Sequence, residues 1–206
     1  SGAALADRLL AEHGVATGVR ARVAETIRHH LVPPTDAPIE SCCLSDADTI
    51  DANLGLPAFV RNIYINLHFY DTRKAPEAAS IAQVLAQDPL GFLRPYITEN
   101  LPRWNAGKRR DFIPKLLTQA GRDLSLARLE RLDGVFAALA AELDNYEAHS
   151  RHNRLAIVLH YMNHQDDPSI ASETDYLAND WLRANGAGPA ARELLDQLQQ
   201  EIAGVI

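Results

Sequence analysis

Asp46, Asp48 and Asp51 recur within the segment Leu44-Ser-Asp46-Ala-Asp48-Thr-Ile-Asp51-Ala-Asn-Leu-Gly55, and His29-His30 closes the apolar-periodic stretch before it. Carboxylates and imidazoles on neighbouring helices form the donor set of a divalent-metal centre, which activates water for attack on phosphorus. Which of these side chains can meet depends on helical phase.

On a helix over 19–31, Val19, Val23 and Ile27 make an apolar stripe; His30 falls in that arc and His29 off it. On the next helix Leu44, Ala47, Asp48 and Asp51 share a face, with Asp46 on the other side. This phase turns His30, Asp48 and Asp51 inward. Two buried carboxylates need a cation or good donors beside them. Either His30 and Asp48 hold a metal, or Arg61 pairs with Asp51 while Asp48 caps or stays hydrated. On spacing alone the ion-pair answer carries more weight.

The stretch Gly2-Ala3-Ala4 to Leu10, then Val23-Ala-Glu-Thr-Ile27-Arg-His-His30, then Asp46-Ala-Asp48-Thr-Ile-Asp51, Gly55 and Arg61, resembles the latter half of the HD-domain metal-dependent phosphohydrolase superfamily over about residues 2–62. A weaker echo of one bacterial branch's helical tail lies in Lys115-Leu-Leu117, Leu126-Ala-Arg128-Leu-Glu-Arg131, Phe136 and Glu142. The resemblance implies His30 and Asp48 as catalytic metal ligands and Arg61 as a substrate contact, with Asp51 and Gly55 in structural support. It also implies a divalent ion (Mn, Fe, Ni, Zn or Mg) and a phosphorylated small molecule or nucleotide as substrate. The chain nevertheless has no His-Asp dipeptide. The family's opening ligands are expected before Gly2, on a preceding segment or another chain, so this portion alone is expected to be weak or inactive. The alternative is a catalytically inactive helical interaction or regulatory module that self-associates.

Elements follow from periodicity and breakers. Helices are expected over 3–12, 19–31, 40–53, from Pro57 toward Tyr70, and over 76–87, 89–100, 109–120, 125–147, 152–164, 172–185 and 189–203. Gly91, Pro95, Pro102 and Asn105-Ala-Gly107 are expected to mark turns or kinks. Scarce aromatics, at 6%, and abundant Ala, Leu, Arg and Glu favour helix. The expected fold is an all-α bundle resembling the HD-domain fold, with residues 1–70 as its C-terminal part and 71–206 as a helical extension packed on it, or with the two as one compact unit.

A net charge of −7 argues against broad binding to nucleic acid or an anionic membrane. No apolar run reaches the roughly 18 residues of a membrane span. Adjacent Cys42 and Cys43 rarely satisfy disulfide geometry, which points to a reducing, cytoplasmic compartment. His149, His152, His160 and His164 would share one arc if a single helix ran through them, and His160 and His164 have the four-residue spacing of two metal ligands. Polar helix surface is the weightier reading there. Arg103, Lys108, Arg109 and Arg110 surround Trp104 and could meet phosphate or RNA, although a short basic run is usually a solvated connection. Asp166-Asp167-Pro168 reads as a helix-ending turn.

Overall fold

The computed structural model describes residues 2–73, 78–163, 169–186 and 188–205, and among them every regular element is helical. The N-terminal part holds α1 (Gly2–Glu12), α2 (Thr17–His29), α3 (Ile39–Asn53) and α4 (Leu56–Arg73). The middle holds α5 (Ile81–Gln87), α6 (Pro89–Pro95), α7 (Leu101–Phe112), a 3-10 turn over Ile113–Lys115 and the long α8 (Gln119–Leu143). Then come α9 (Tyr146–His149), α10 (Arg154–Asn163), α11 (Ile170–Tyr176), α12 (Leu182–Ala184) and α13 (Pro189–Ile202).

The central helix is α8. Its inward positions Leu129, Leu132, Phe136, Leu139 and Leu143 follow the three-and-four spacing of one helical face. That face packs against α3, α7 and α10, while α4 packs against α3, α10 and α13. Phe59 of α4 meets Phe136 of α8 edge-on, with ring centroids 5.1 Å apart. On α13, Ala191, Leu194, Leu195 and Leu198 form the buried stripe. One apolar cluster joins Ile50, Leu54 and Phe59 to Leu129, Leu155 and Leu195, so it draws on residues from both sides of position 70.

The first two helices are placed differently. They pack on each other, and α2 also touches α3. Ala3 is the buried residue of α1 and Ala24 that of α2, while Leu5, Leu9 and Val19 stay 41–47% exposed. The expected inward stripe of α2 is therefore only half-covered.

Pro95, Pro102 and Gly107 do not break the chain into separate helices. A π turn over Tyr96–Asn100 links α6 to α7, and the Leu101 N–H returns to the Tyr96 carbonyl. The wider turn shifts the hydrogen-bond register between the two prolines, and Pro102 then sits in the first turn of α7, where a missing N–H costs little. A second π turn, Leu177–Trp181, joins α11 to α12. The long helix starts at Gln119 rather than near 125 because Thr118 caps it, its hydroxyl accepting from the Gly121 N–H at 2.9 Å. Turns at 150–153 separate α9 from α10, so no single helix carries the four histidines. His164 and Asp166-Asp167-Pro168 lie outside the described residues, as does the start of the helix expected at 76. Among the described residues no helix is long and apolar enough to cross a membrane.

Candidate functional site

The acidic segment is inverted relative to its expected phase. Asp46, expected on the outer side, is buried at 3% exposure, whereas Asp48 and Asp51, expected inward, are exposed. The reason is the choice of apolar anchor. Leu44, which set the expected face, is 37% exposed, while Ile50 enters the core and carries Asp46 inward one turn earlier.

Asp46 then finds donors far along the chain. Its Oδ1 accepts from the Leu117 N–H at 2.7 Å, and its Oδ2 from the Thr118 N–H at 2.8 Å and the Thr118 hydroxyl at 2.6 Å. These groups lead into the first turn of α8, so the carboxylate satisfies donors that a helix start leaves free and meets the positive end of the helix dipole. Gly121 permits this approach, because a Cβ there would collide with Asp46.

His30 follows the last residue of α2 and is half-buried, with Nδ1 2.7 Å from the Ile27 carbonyl oxygen of its own helix. His29 is the more exposed of the pair and meets Glu25 at 3.0 Å. Asp51 and Arg61 do come together: the guanidinium donates to the Asp51 carbonyl oxygen at 2.9 Å and lies 3.6 Å from its carboxylate. Both line an open groove of about 330 Å³ with Pro57, Ile170 and Ile202.

Asp48 is exposed and His30 half-buried, and among the described residues no three or more His, Cys, Asp or Glu side chains converge to hold a metal. The described histidines of the second cluster also diverge. His149 bonds Asn153, His152 lies 3.2 Å from the Asn185 carbonyl oxygen, and His160 pairs with Glu173 beside Tyr176 and Trp181.

Two further buried carboxylates repeat what Asp46 does. Glu142 Oε2 accepts from the Leu155 N–H at 2.9 Å in the first turn of α10. Glu201 Oε2 accepts from the Leu56 N–H at 2.8 Å, the first residue of α4, while its Oε1 lies 2.6 Å from Arg131. Among the described residues Asp46, Glu142 and Glu201 are the buried acids, and each closes the start of another helix. Glu142 and Glu201 were missed as sites in the sequence because each sits near the end of its own helix and caps a different one.

Burial holds the Glu201 carboxyl above the ordinary glutamate range, against the lowering pull of the Leu56 N–H and the Arg131 and Arg128 cations. An acid whose pKa is raised by folding favours the fold when protonated. That contribution is full below the ordinary value of about 4.3 and is lost as pH rises through the raised value. Glu201→Gln stays neutral and can still accept from Leu56. The melting-temperature advantage of wild type over this variant is therefore expected to shrink as pH climbs above about 4.3. Thermal melts of both proteins across that range check it, and an advantage that grows with pH would mean that the arginine pairing prevails.

On α7, Asn105 is buried and donates to the Leu129 carbonyl oxygen at 2.9 Å, fixing α7 on α8. One face away, the Lys108 ammonium lies 5.3 Å from the Trp104 ring centroid and 4.6 Å from that of Phe112, and donates to Asn53 at 3.1 Å. Partial burial lowers its pKa, opposed by nearby Asp111. The basic run is thus a built helix face rather than a connection. Comparisons with family models, with curated proteins and with solved structures gave no match for this chain.

Proposed function

We propose that this chain works as a helical interaction module and not as a self-sufficient metal-dependent phosphohydrolase. The observation that carries this reading is the use of its buried acids: Asp46, Glu142 and Glu201 are all spent on helix starts, while Asp48 faces solvent. The apolar surface left open supports the interaction. Leu5, Leu9, Val19, Leu31, Val32, Ile39 and Leu44 are all exposed within the first 44 residues, and large open apolar patches mark association surfaces. A second copy offers the same exposed residues, and a two-fold pairing of the helical hairpins formed by α1 and α2 would bury Leu5 and Leu9 of both copies.

Sedimentation velocity over a range of concentrations, run beside thermal melts with and without chelator, tests this reading. The expected result is concentration-dependent association that Leu5→Ser with Leu9→Ser abolishes, and a melt that chelator leaves unchanged. A tightly bound metal whose removal lowers the melt, together with phosphatase turnover lost in His30→Ala or Asp48→Ala, would overturn it.

A second reading, a portion of an HD-type phosphohydrolase acting on a phosphate ester or nucleotide, draws on one observation besides the resemblance. Arg61 opens onto a groove with apolar walls, where a guanidinium suits a phosphate group. Phosphate-monoester protection of the chain that is lost in Arg61→Ala would favour it.

A further inference from the structure

Glycine follows an aspartate or asparagine at Asp133-Gly134 and at Asn185-Gly186. At such a pair the glycine N–H can attack the preceding side chain, with no Cβ to hinder it. The structure treats the two oppositely. Asp133-Gly134 lies inside α8, where the backbone N–H belongs to the helix and the Asp133 carboxylate meets Arg109 at 3.1 Å and Asn105. Asn185-Gly186 lies between α12 and α13, and both residues are exposed. Gly186 turns the chain at φ +60°, and its N–H donates to none of the described groups. Asn185 Nδ2 donates to the Trp181 carbonyl oxygen at 2.9 Å, an exposed bond that water replaces at little cost. His152 adds a catalyst. Its Nδ1 lies 3.2 Å from the Asn185 carbonyl oxygen, and because a carbonyl accepts, the imidazole donates. That donor draws charge onto the oxygen of the peptide joining Asn185 to Gly186 and so acidifies the Gly186 N–H, whose deprotonated nitrogen is the nucleophile.

From this geometry we infer that Asn185 is a self-modification site, at which the folded chain deamidates and His152 speeds the step. The Gly186 nitrogen gives its proton to hydroxide and forms a bond to Cγ of Asn185. The Cγ–Nδ2 bond breaks, and Nδ2 leaves as ammonia after taking a proton from water. Ring closure requires rotation about the Asn185 Cα–C bond from its ψ of 3°, which the flexible glycine beside it permits. Water then opens the succinimide. Cleavage at Cγ leaves aspartate at 185, and cleavage at the main-chain carbonyl carbon leaves isoaspartate, in which the backbone runs through the side chain. Nothing is oxidised or reduced. The products act on a defined joint. The Gly188 N–H donates to the His152 carbonyl oxygen at 2.7 Å, and a Cβ on Gly188 would meet Asn153 Oδ1 at 2.7 Å, so the corner before α13 sits tightly on the 150–153 turn. A carboxylate at the end of the α11–α12 helical run opposes the carbonyl end of that run, and isoaspartate draws the Asn185 carbonyl off His152. Both loosen the corner.

This chemistry is independent of both functional readings. The test is peptide mapping of the full chain after incubation at mildly alkaline pH, with the tryptic peptide Ala184–Arg192 followed by mass and isoaspartate scored by its methyltransferase reaction. Asn185 is expected to convert several-fold faster than any other asparagine, giving both products, while Asp133 stays as aspartate. His152→Ala is expected to slow the conversion. His152→Asn, whose amide can still donate to the carbonyl, is expected to keep most of the rate. A corner merely loosened by the alanine would convert faster, so slowing is specific to the lost donor. Asn185 persisting while other asparagines convert, isoaspartate arising first at Asp133, or an unchanged or faster rate in His152→Ala would each overturn the assignment.

Discussion

Asp46→Ala is expected to destabilise the fold by about 3 kcal/mol, whereas Asp48→Ala, two residues away, is expected to stay within about 0.5 kcal/mol of wild type. The contrast follows from what each carboxylate touches. Removing Asp46 strips the acceptor from the Leu117 and Thr118 N–H groups and from the Thr118 hydroxyl, all leading into a 25-residue helix that carries much of the core. Each donor left without a partner costs about 1–3 kcal/mol, and partial access of water to this connection offsets some of that. Asp48 faces solvent, and alanine there improves helix propensity. Asp46→Asn is expected to lie between the two, because one amide oxygen can still accept while its NH2 faces a donor. Denaturant unfolding with a shared slope measures all three, and the alanine change at Asp46 corresponds to a melting shift of about 8 °C in a chain of this size. If Asp48→Ala proved the costlier change, the phase of α3 described above would be wrong and the inward reading of Asp48 restored.

That pair of substitutions also marks the limit of what the sequence makes legible. The all-α class, and the existence of most helices, follow from composition and three-and-four periodicity, which act locally and need no knowledge of partners. On α4, Phe59 and Ile63 sit in the core where periodicity puts them. Phase fails on α3 because its apolar residues are few and disagree: Leu44 and Ile50 nominate different faces, and only packing against the connection at 116–118 decides between them. The deciding bonds join residues 71 and 72 positions apart. The link from Glu201 to Leu56 spans 145 positions. Spacing arguments cannot see contacts at that range, so a buried acid and a catalytic acid look the same in sequence. The prolines of the middle helices show the converse error. Pro95 and Pro102 are read as breaks by local rules, but a π turn between them keeps the axis running.

Gly55→Ala is expected to cost about 4 kcal/mol, a large share of the roughly 5–15 kcal/mol that holds a domain together. Leu54 ends α3 in extended backbone, Gly55 turns the chain at φ +94°, and Leu56 opens α4 with its N–H on Glu201. Any Cβ at position 55 meets two penalties. The backbone adopts a conformation that costs a residue with a side chain about 1–2 kcal/mol. The added methyl also lands on the Glu201 carboxylate and 3.0 Å from Arg128, and both of those groups are buried with little room to retreat. Moving Glu201 aside uncouples Leu56 and Arg131 at once, and breaking a buried pair costs about 3 kcal/mol or more. The two penalties separate experimentally. Gly55→Asn tolerates a positive φ better than alanine but brings the same Cβ, so equal destabilisation by both assigns the cost mainly to the collision. Adding Glu201→Ala to Gly55→Ala removes the obstacle, and the double variant is expected to lose clearly less than the sum of the singles. A strictly additive result would mean that Gly55 and Glu201 act independently, and the corner between α3 and α4 would owe its shape to backbone conformation alone.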